Sequence, residues 1–195
     1  MIDFILISSA YLVGSLSIAI IACLLAGLPD PRTQGSGNPG ATNVLRLGSK
    51  KLAAVVLLGD ISKGLLPVLL AKYLDVGTLT LAFTGLAVFL GHCYPVFFSF
   101  RGGKGVATAL GVILGLSWPT GLLLIIIWIL MAMIFRVSSL AAITAAITAP
   151  FISVFTLPAP ALIMMVCAVT ILLIWRHRKN IQKLYRGTEP RIGSR

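Results

Sequence analysis

Val106-Ala107-Thr108-Ala109-Leu110-Gly111-Val112-Ile113-Leu114-Gly115-Leu116 is the stretch on which the fold turns. As a helix rising 1.5 Å per residue it covers roughly 16 Å, about half of a hydrocarbon core ~30 Å thick. It crosses only where the bilayer is thinned, a neighbour is tilted or its start lies below the surface. Whether it crosses decides on which side of a membrane every later loop lies.

Working outward, apolar runs from Phe4 to Leu28, Leu52 to Lys72, Thr78 to Val96, Pro119 to Phe135, Ser139 to Thr156 and Ala159 to Trp175 are long enough, or nearly so, to span. A chain that is 58% hydrophobic and 11% charged, with a mean hydropathy of +1.02, does not suit a soluble domain. If all seven segments cross, the loops after the first, third and fifth spans share one face with the C-terminal tail. That face holds every Lys and Arg among the chain's 16 except Lys63 and Lys72; Arg46, Lys50, Lys51, Arg101, Lys104 and Arg195 are examples. The positive-inside rule makes it cytoplasmic and puts the N-terminus outside. Leaving out the short segment would scatter the cations, so it is counted as a span. The expected architecture is all-α: one polytopic membrane domain over residues 1–195 with seven transmembrane helices. The first span lacks a basic n-region and a convincing cleavage site, so it is read as retained rather than as a signal peptide.

The net charge of +11 follows from this topology and from attraction to anionic lipid. A nucleic-acid protein would show a basic folded surface with interleaved aromatics, and none is expected here. Cys23, Cys93 and Cys167 are scattered and odd in number, which suits packing rather than a disulfide or metal site.

Three polar blocks interrupt the apolar chain, all on the basic face. In the first, Gly35, Gly37 and Gly40 allow backbone N–H groups to point into one concavity, Ser36, Asn38, Thr42 and Asn43 add neutral hydrogen-bonding groups, and Arg46 adds a fork suited to phosphate. Helix capping by Thr42 or Asn43 would account for only one or two of these residues. In the second, Gly102, Gly103, Lys104 and Gly105 precede a helix opening at Val106, an anion cradle at a positive helix end. It is not a Walker A loop, which needs Ser or Thr where Gly105 stands and Gly where Phe98 stands. His92 opens this block as a supporting residue. In the third, Arg176, Lys179, Lys183 and Arg186 form a basic stripe fit for lipid headgroups, while His177 and Asn180 occupy another face, available for chemistry, with Glu189 beyond.

Within the second span, Asp60 and Lys63 stand three residues apart, and the cost of an unpaired charge at that depth requires them to pair with each other or with the site. Of Ser138 and Ser139, one hydroxyl is expected to cap the sixth span and the other to contact phosphate. A His separated from an Asp by four residues, paired-Asp metal motifs and a Gly-x-Ser-x-Gly elbow are all absent. The pocket is therefore rich in anion-binding groups without an evident base or nucleophile.

These residues resemble the bacterial acyl-phosphate:glycerol-3-phosphate acyltransferases, the PlsY family. The likeness runs along the whole chain: Tyr11, Gly14 and Ser15; Asp30-Pro31-Arg32 through Arg46; Asp60 with Lys63-Gly64; Gly91-His92 through Thr108; Ser138-Ser139-Leu140; and His177 through Glu189. Pro39 and Ala142, the latter replacing a second Ser, depart from many relatives. The resemblance implies seven spans, an outside N-terminus, cytoplasmic motifs and no cofactor. It also implies transfer of a fatty acyl group from acyl phosphate to the 1-hydroxyl of glycerol 3-phosphate, giving lysophosphatidate and phosphate, the first acylation of phospholipid synthesis. Implied partners are both substrates, the lipids of the bacterial inner membrane and the soluble enzyme that makes acyl phosphate. Expected catalytic residues are Lys104, His177, Asn180 and Ser139. Two other readings suit the composition: an organophosphate transporter, or the same acceptor with an acyl-CoA or acyl carrier protein donor.

Overall fold

The computed structural model describes residues 1–193; Ser194 and Arg195, the latter one of the tail cations, lie outside it. Ten α-helices follow one another: α1 Ile2–Gly14, α2 Ile18–Leu25, α3 Ala41–Arg46, α4 Lys50–Tyr73, α5 Thr78–Cys93, α6 Val106–Leu116, α7 Trp118–Phe135, α8 Ser138–Thr156, α9 Pro160–Arg176 and α10 Arg178–Tyr185. No strand occurs among the described residues. Each apolar run read from the sequence is helical, but the first divides into α1 and α2, inclined at 44°. Among the described residues, four helices are long and apolar enough to cross a membrane, and up to six spans result if α1–α2 and α9–α10 each count as one. α6 remains a short apolar helix of eleven residues.

The break after α1 explains the intramembrane charges. Ser15 turns its hydroxyl back onto the Tyr11 carbonyl (2.9 Å), and the chain restarts after Ser17 in extended conformation. The Leu16 carbonyl is thereby left without a helical partner, at a depth where an unsatisfied group costs several kcal/mol. Lys63 Nζ donates to it at 2.8 Å and lies 2.9 Å from Asp60 Oδ1. The expected pairing of Asp60 with Lys63 is found, and it also closes the broken span. Lys72, the other cation outside the basic loops, donates to the Gly115 and Leu116 carbonyls, where the negative end of the α6 dipole lies.

Glycines bring backbones together, as small residues do between membrane helices. On α1 and α5, Gly14 faces the Val88 carbonyl and Gly91 faces the Tyr11 carbonyl; on α4 and α6, Gly64 faces the Thr108 carbonyl and Gly111 the Ile61 carbonyl. A methyl group at any of the four would collide with backbone, which cannot rotate away. The short α6 is held against α4 in this way, so its first turn is fixed at the polar end of the bundle.

Candidate active site

The loop joining α2 to α3 is organised by Asn43, 1% exposed. Its Nδ2 donates to the Pro31 and Gln34 carbonyls (2.8 and 3.0 Å), and its Oδ1 accepts from the Ser36 N–H at 2.8 Å. Gly35, at φ +59°, sits so close to Asn43 Oδ1 that a β-carbon would strike it. Asn43, expected to bind phosphate, also spends its side chain on shaping the loop. Gly37 uses its N–H in a turn to Gln34, whereas Ser36, Asn38, Gly40, Thr42 and Asn43 line the cavity described below. Neither Thr42 nor Asn43 caps α3, whose N-cap is Gly40. The Arg46 side chain stands exposed at the cavity wall with no ion pair or hydrogen bond among the described residues. Beside the loop, the Arg32 guanidinium grips Asp30 at 2.6 to 3.1 Å, which holds that carboxyl below its usual range. Arg32 also reaches the Phe98 carbonyl, tying this loop to the next.

In the glycine block, the Gly103 N–H donates to the His92 carbonyl (3.1 Å), and its α-carbon lies against the His92 ring, where a β-carbon would clash. The His92 Nδ1 lies 3.6 Å from Asp60 Oδ1. Gly105 adopts φ +84° under the Phe89 ring, and α6 begins there with its unbonded N–H groups at the cavity. Gly102 and Gly103 do not line the cavity; both of their carbonyls accept from the Arg176 guanidinium at 2.8 to 3.1 Å. That guanidinium also packs over Tyr94, 5.1 Å from the ring centroid. Arg176 is thus a clamp on the glycine block rather than a member of a headgroup stripe. The helical periodicity that suggested the stripe fails because the chain bends by 57° between α9 and α10.

His177 occupies that bend and is 2% exposed. Its Nδ1 lies 2.8 Å from the Leu173 carbonyl. A carbonyl only accepts, so Nδ1 carries the proton and Nε2 keeps a lone pair. Burial, aided by the Lys104 and Arg176 charges, pushes the His177 pKa down to about 4 against the opposing hydrogen bond and Glu189, so the ring is neutral at physiological pH. Lys104 Nζ donates to Asn180 Oδ1 at 2.6 Å; Asn180 Nδ2 donates to Glu189 Oε1 at 2.6 Å; and Ser139 Oγ donates to the same oxygen at 2.7 Å. Burial lowers the Lys104 pKa to about 8, with Glu189 opposing the fall and Arg46, Lys183 and Arg176 adding to it. Glu189 reaches this position because Gly187, at φ +68°, ends α10 with a left-handed turn in which the Thr188 N–H bonds the Lys183 carbonyl. Ser138 and Ser139 open α8 after a Val137 N-cap, so the expected hydroxyl cap is not formed. Ser138 lies 3.4 Å from the Thr42 hydroxyl, and Ser139 gives its hydrogen to Glu189.

All these elements surround one cavity of about 440 Å³. Its polar end is lined by Ser36, Asn38, Thr42, Arg46, Lys104, Ser138, Ser139, His177, Asn180 and Glu189, and its other end by aliphatic groups from α4, α6, α7, α8 and α9. Asp60 and His92 are in its wall; Lys63 and Gly37 are not. A fatty-chain site between spans is expected from the sequence, but the residues of this apolar half are not named by it. Ala142, Ala145, Ala146 and Ala149 have the spacing of one helix face, yet that signal is shared with ordinary helix packing.

Fold and cavity together define an all-helical membrane protein with a cation-lined chamber opening onto an apolar groove. Residues 4–187 match the family model described as glycerol-3-phosphate acyltransferase, and the chain belongs to that family of bacterial membrane acyltransferases. It is 51% identical over 194 residues to the glycerol-3-phosphate acyltransferase of Methylococcus capsulatus, covering 100% of this chain and 98% of the relative. With that of Nitrosomonas eutropha it shares 52% over 197 residues, 99% and 98% of the two chains. The structure superposes with a TM-score of 0.94 on the crystal structure of PlsY, an integral membrane glycerol 3-phosphate acyltransferase, in its glycerol 3-phosphate form, at 42% identity over 99% of this chain and 96% of that one. The lysophosphatidic acid form of PlsY gives a TM-score of 0.92 at the same identity and coverage.

Proposed function

We propose that this protein moves a fatty acyl group from acyl phosphate to the 1-hydroxyl of glycerol 3-phosphate, giving lysophosphatidate and inorganic phosphate. The observation that carries the reading is the union, in one cavity, of a chamber holding Lys104 and Arg46 with a groove walled by apolar helices. The PlsY structures in glycerol 3-phosphate and lysophosphatidic acid forms support substrate and product of this class.

In this mechanism the Ser36–Thr42 loop and the first turns of α6 and α8 receive one phosphate, while Lys104, Arg46, His177 and Asn180 hold glycerol 3-phosphate. Lys104 keeps two N–H groups free of Asn180 for the phosphate. The neutral His177 Nε2 accepts a hydrogen bond from the 2-hydroxyl of glycerol 3-phosphate and so aims the 1-hydroxyl, whose own hydrogen stays available to the donor's phosphate. The hydroxyl oxygen bonds to the acyl carbon, the bond from that carbon to the phosphate oxygen breaks, and the departing phosphate takes the hydroxyl proton. Ser139 and Glu189 form the frame that holds Asn180 and Lys104, because the Ser139 hydrogen is already committed. The donor is activated and brings its own leaving group, so positioning and charge suffice without a protein nucleophile.

The arrangement in the membrane follows from the cations: seven crossings by one domain, N-terminus outside, with the chamber facing the cytoplasm from the inner membrane. The soluble enzyme that makes acyl phosphate would meet it on that face. Purified protein in a lipid mesophase, given palmitoyl phosphate and glycerol 3-phosphate, should release lysophosphatidate and phosphate in equal amounts. Parallel reactions with acyl-CoA and acyl carrier protein donors should be silent. Turnover with thioesters alone would reject the leaving-phosphate mechanism, and silence with every donor in folded protein would favour a transporter.

A further inference from the structure

The apolar groove has an end. On α6, α7, α8 and α9 the lining residues farthest from the polar chamber are Ile113, Leu124, Ala149 and Val166. They are 5%, 5%, 2% and 1% exposed, so the groove stops at a packed layer rather than opening into lipid. Nearer the chamber, by contrast, lining residues Leu57 and Ile129 are each 44% exposed, which leaves a side entrance only in the upper part. The floor is stiff. Pro150 has no N–H for the Ala146 carbonyl, and the Thr170 hydroxyl of α9 supplies that bond at 3.0 Å, stitching α8 to α9 at floor level.

We propose that these four residues are a ruler for the acyl chain, setting the longest donor the groove takes in fully extended. The inference rests on the reading of the groove as the donor's chain site. From Ser138 to Ala149, as from His177 to Val166, the helical rise gives a depth of roughly 16 Å. An extended chain advances about 1.2 Å per bond, since three bonds carry a fully extended residue 3.3–3.6 Å. A chain of roughly fourteen carbons therefore reaches the floor, and a longer one must fold back or leave sideways. Leucine in place of Ala149 adds three carbons to the floor and shortens the groove by about as many methylenes. Alanine in place of Leu124 removes three and lengthens it.

The test is a competition among lauroyl, myristoyl, palmitoyl and stearoyl phosphates with glycerol 3-phosphate, the lysophosphatidates being resolved by mass. Reading the palmitoyl-to-lauroyl ratio within each enzyme cancels any general loss of folded protein. Ala149→Leu should lower that ratio about tenfold, the penalty expected for forcing three carbons into a packed site. Leu124→Ala should raise it, and decides alone if Ala149→Leu does not fold. Active enzymes whose ratios match that of the wild type overturn the ruler and leave the proposed reaction standing. A wild-type protein that turns over no acyl phosphate removes the reaction, and the ruler with it.

Discussion

Lys104 should impose an alkaline limb on the activity two units below that of an ordinary lysine. Burial, with Arg46, Lys183 and Arg176 nearby, places its pKa at about 8, and phosphate binding requires the charged form. At pH 9, one unit above, about one tenth of the free enzyme keeps the charge, so kcat/KM for glycerol 3-phosphate should fall about tenfold per pH unit beyond 8. Bound phosphate favours the ammonium and raises its pKa, so the limb in kcat should lie at higher pH than the limb in kcat/KM. Lys104→Arg, charged throughout, should lower activity at every pH through lost geometry but abolish the limb. The assay is phosphate release across pH 6.5 to 11, an interval of about 4.5 units chosen to bracket the ordinary lysine value as well. A flat wild-type profile to pH 9.5, roughly 1.5 units above the expected limb, would refute the reasoning. A rise in kcat/KM through pH 8 would do the same, since it would make the neutral amine the active form.

Three further outcomes follow from the site and the bundle. His177→Gln should raise KM for glycerol 3-phosphate and lower kcat/KM together; abolished turnover with unaltered glycerol 3-phosphate binding would make His177 a general base instead. Glu189→Gln keeps an acceptor for Ser139 and Asn180 but loses the charge, which should cost about 1–2 kcal/mol, or roughly 5- to 30-fold in kcat/KM. Because Glu189 raises the Lys104 pKa, its removal should also move the alkaline limb to lower pH, and an unmoved limb would contradict the coupling. Gly111→Ala puts a methyl group against the Ile61 carbonyl and should lower thermal stability in detergent by about 1–3 kcal/mol, whereas an unchanged melting curve would mean that α4 and α6 are not closely packed.

Much of the fold was legible because apolar runs in a bilayer have to be helical, and every run is, the first as two helices. The break at Ser15-Leu16-Ser17 was not legible, since its carbonyl is closed by Lys63 from another span, a partner that local sequence does not announce. Of the site, the polar blocks were readable as residue types near one boundary, and Ser36, Thr42, Arg46, Lys104, His177 and Asn180 do line one cavity. Their division of labour was not readable. Asn43 looks like any other loop amide until its three bonds to the loop are seen. Arg176 fits a helical stripe unless the bend after α9 is known. Glu189 lies in a tail without periodicity, and only the turn at Gly187 returns it to Ser139 and Asn180.

One-step transfer between two substrates held together in the chamber leaves a direct kinetic signature. The decisive measurement incubates the purified protein with palmitoyl phosphate and labelled inorganic phosphate, without glycerol 3-phosphate, and follows label entering the acyl phosphate. One-step transfer predicts no exchange until the acceptor is added, and no acyl group on the protein. Label exchange in the absence of acceptor, with an acyl adduct on Ser139, would contradict the account and make Ser139 a nucleophile activated by Glu189.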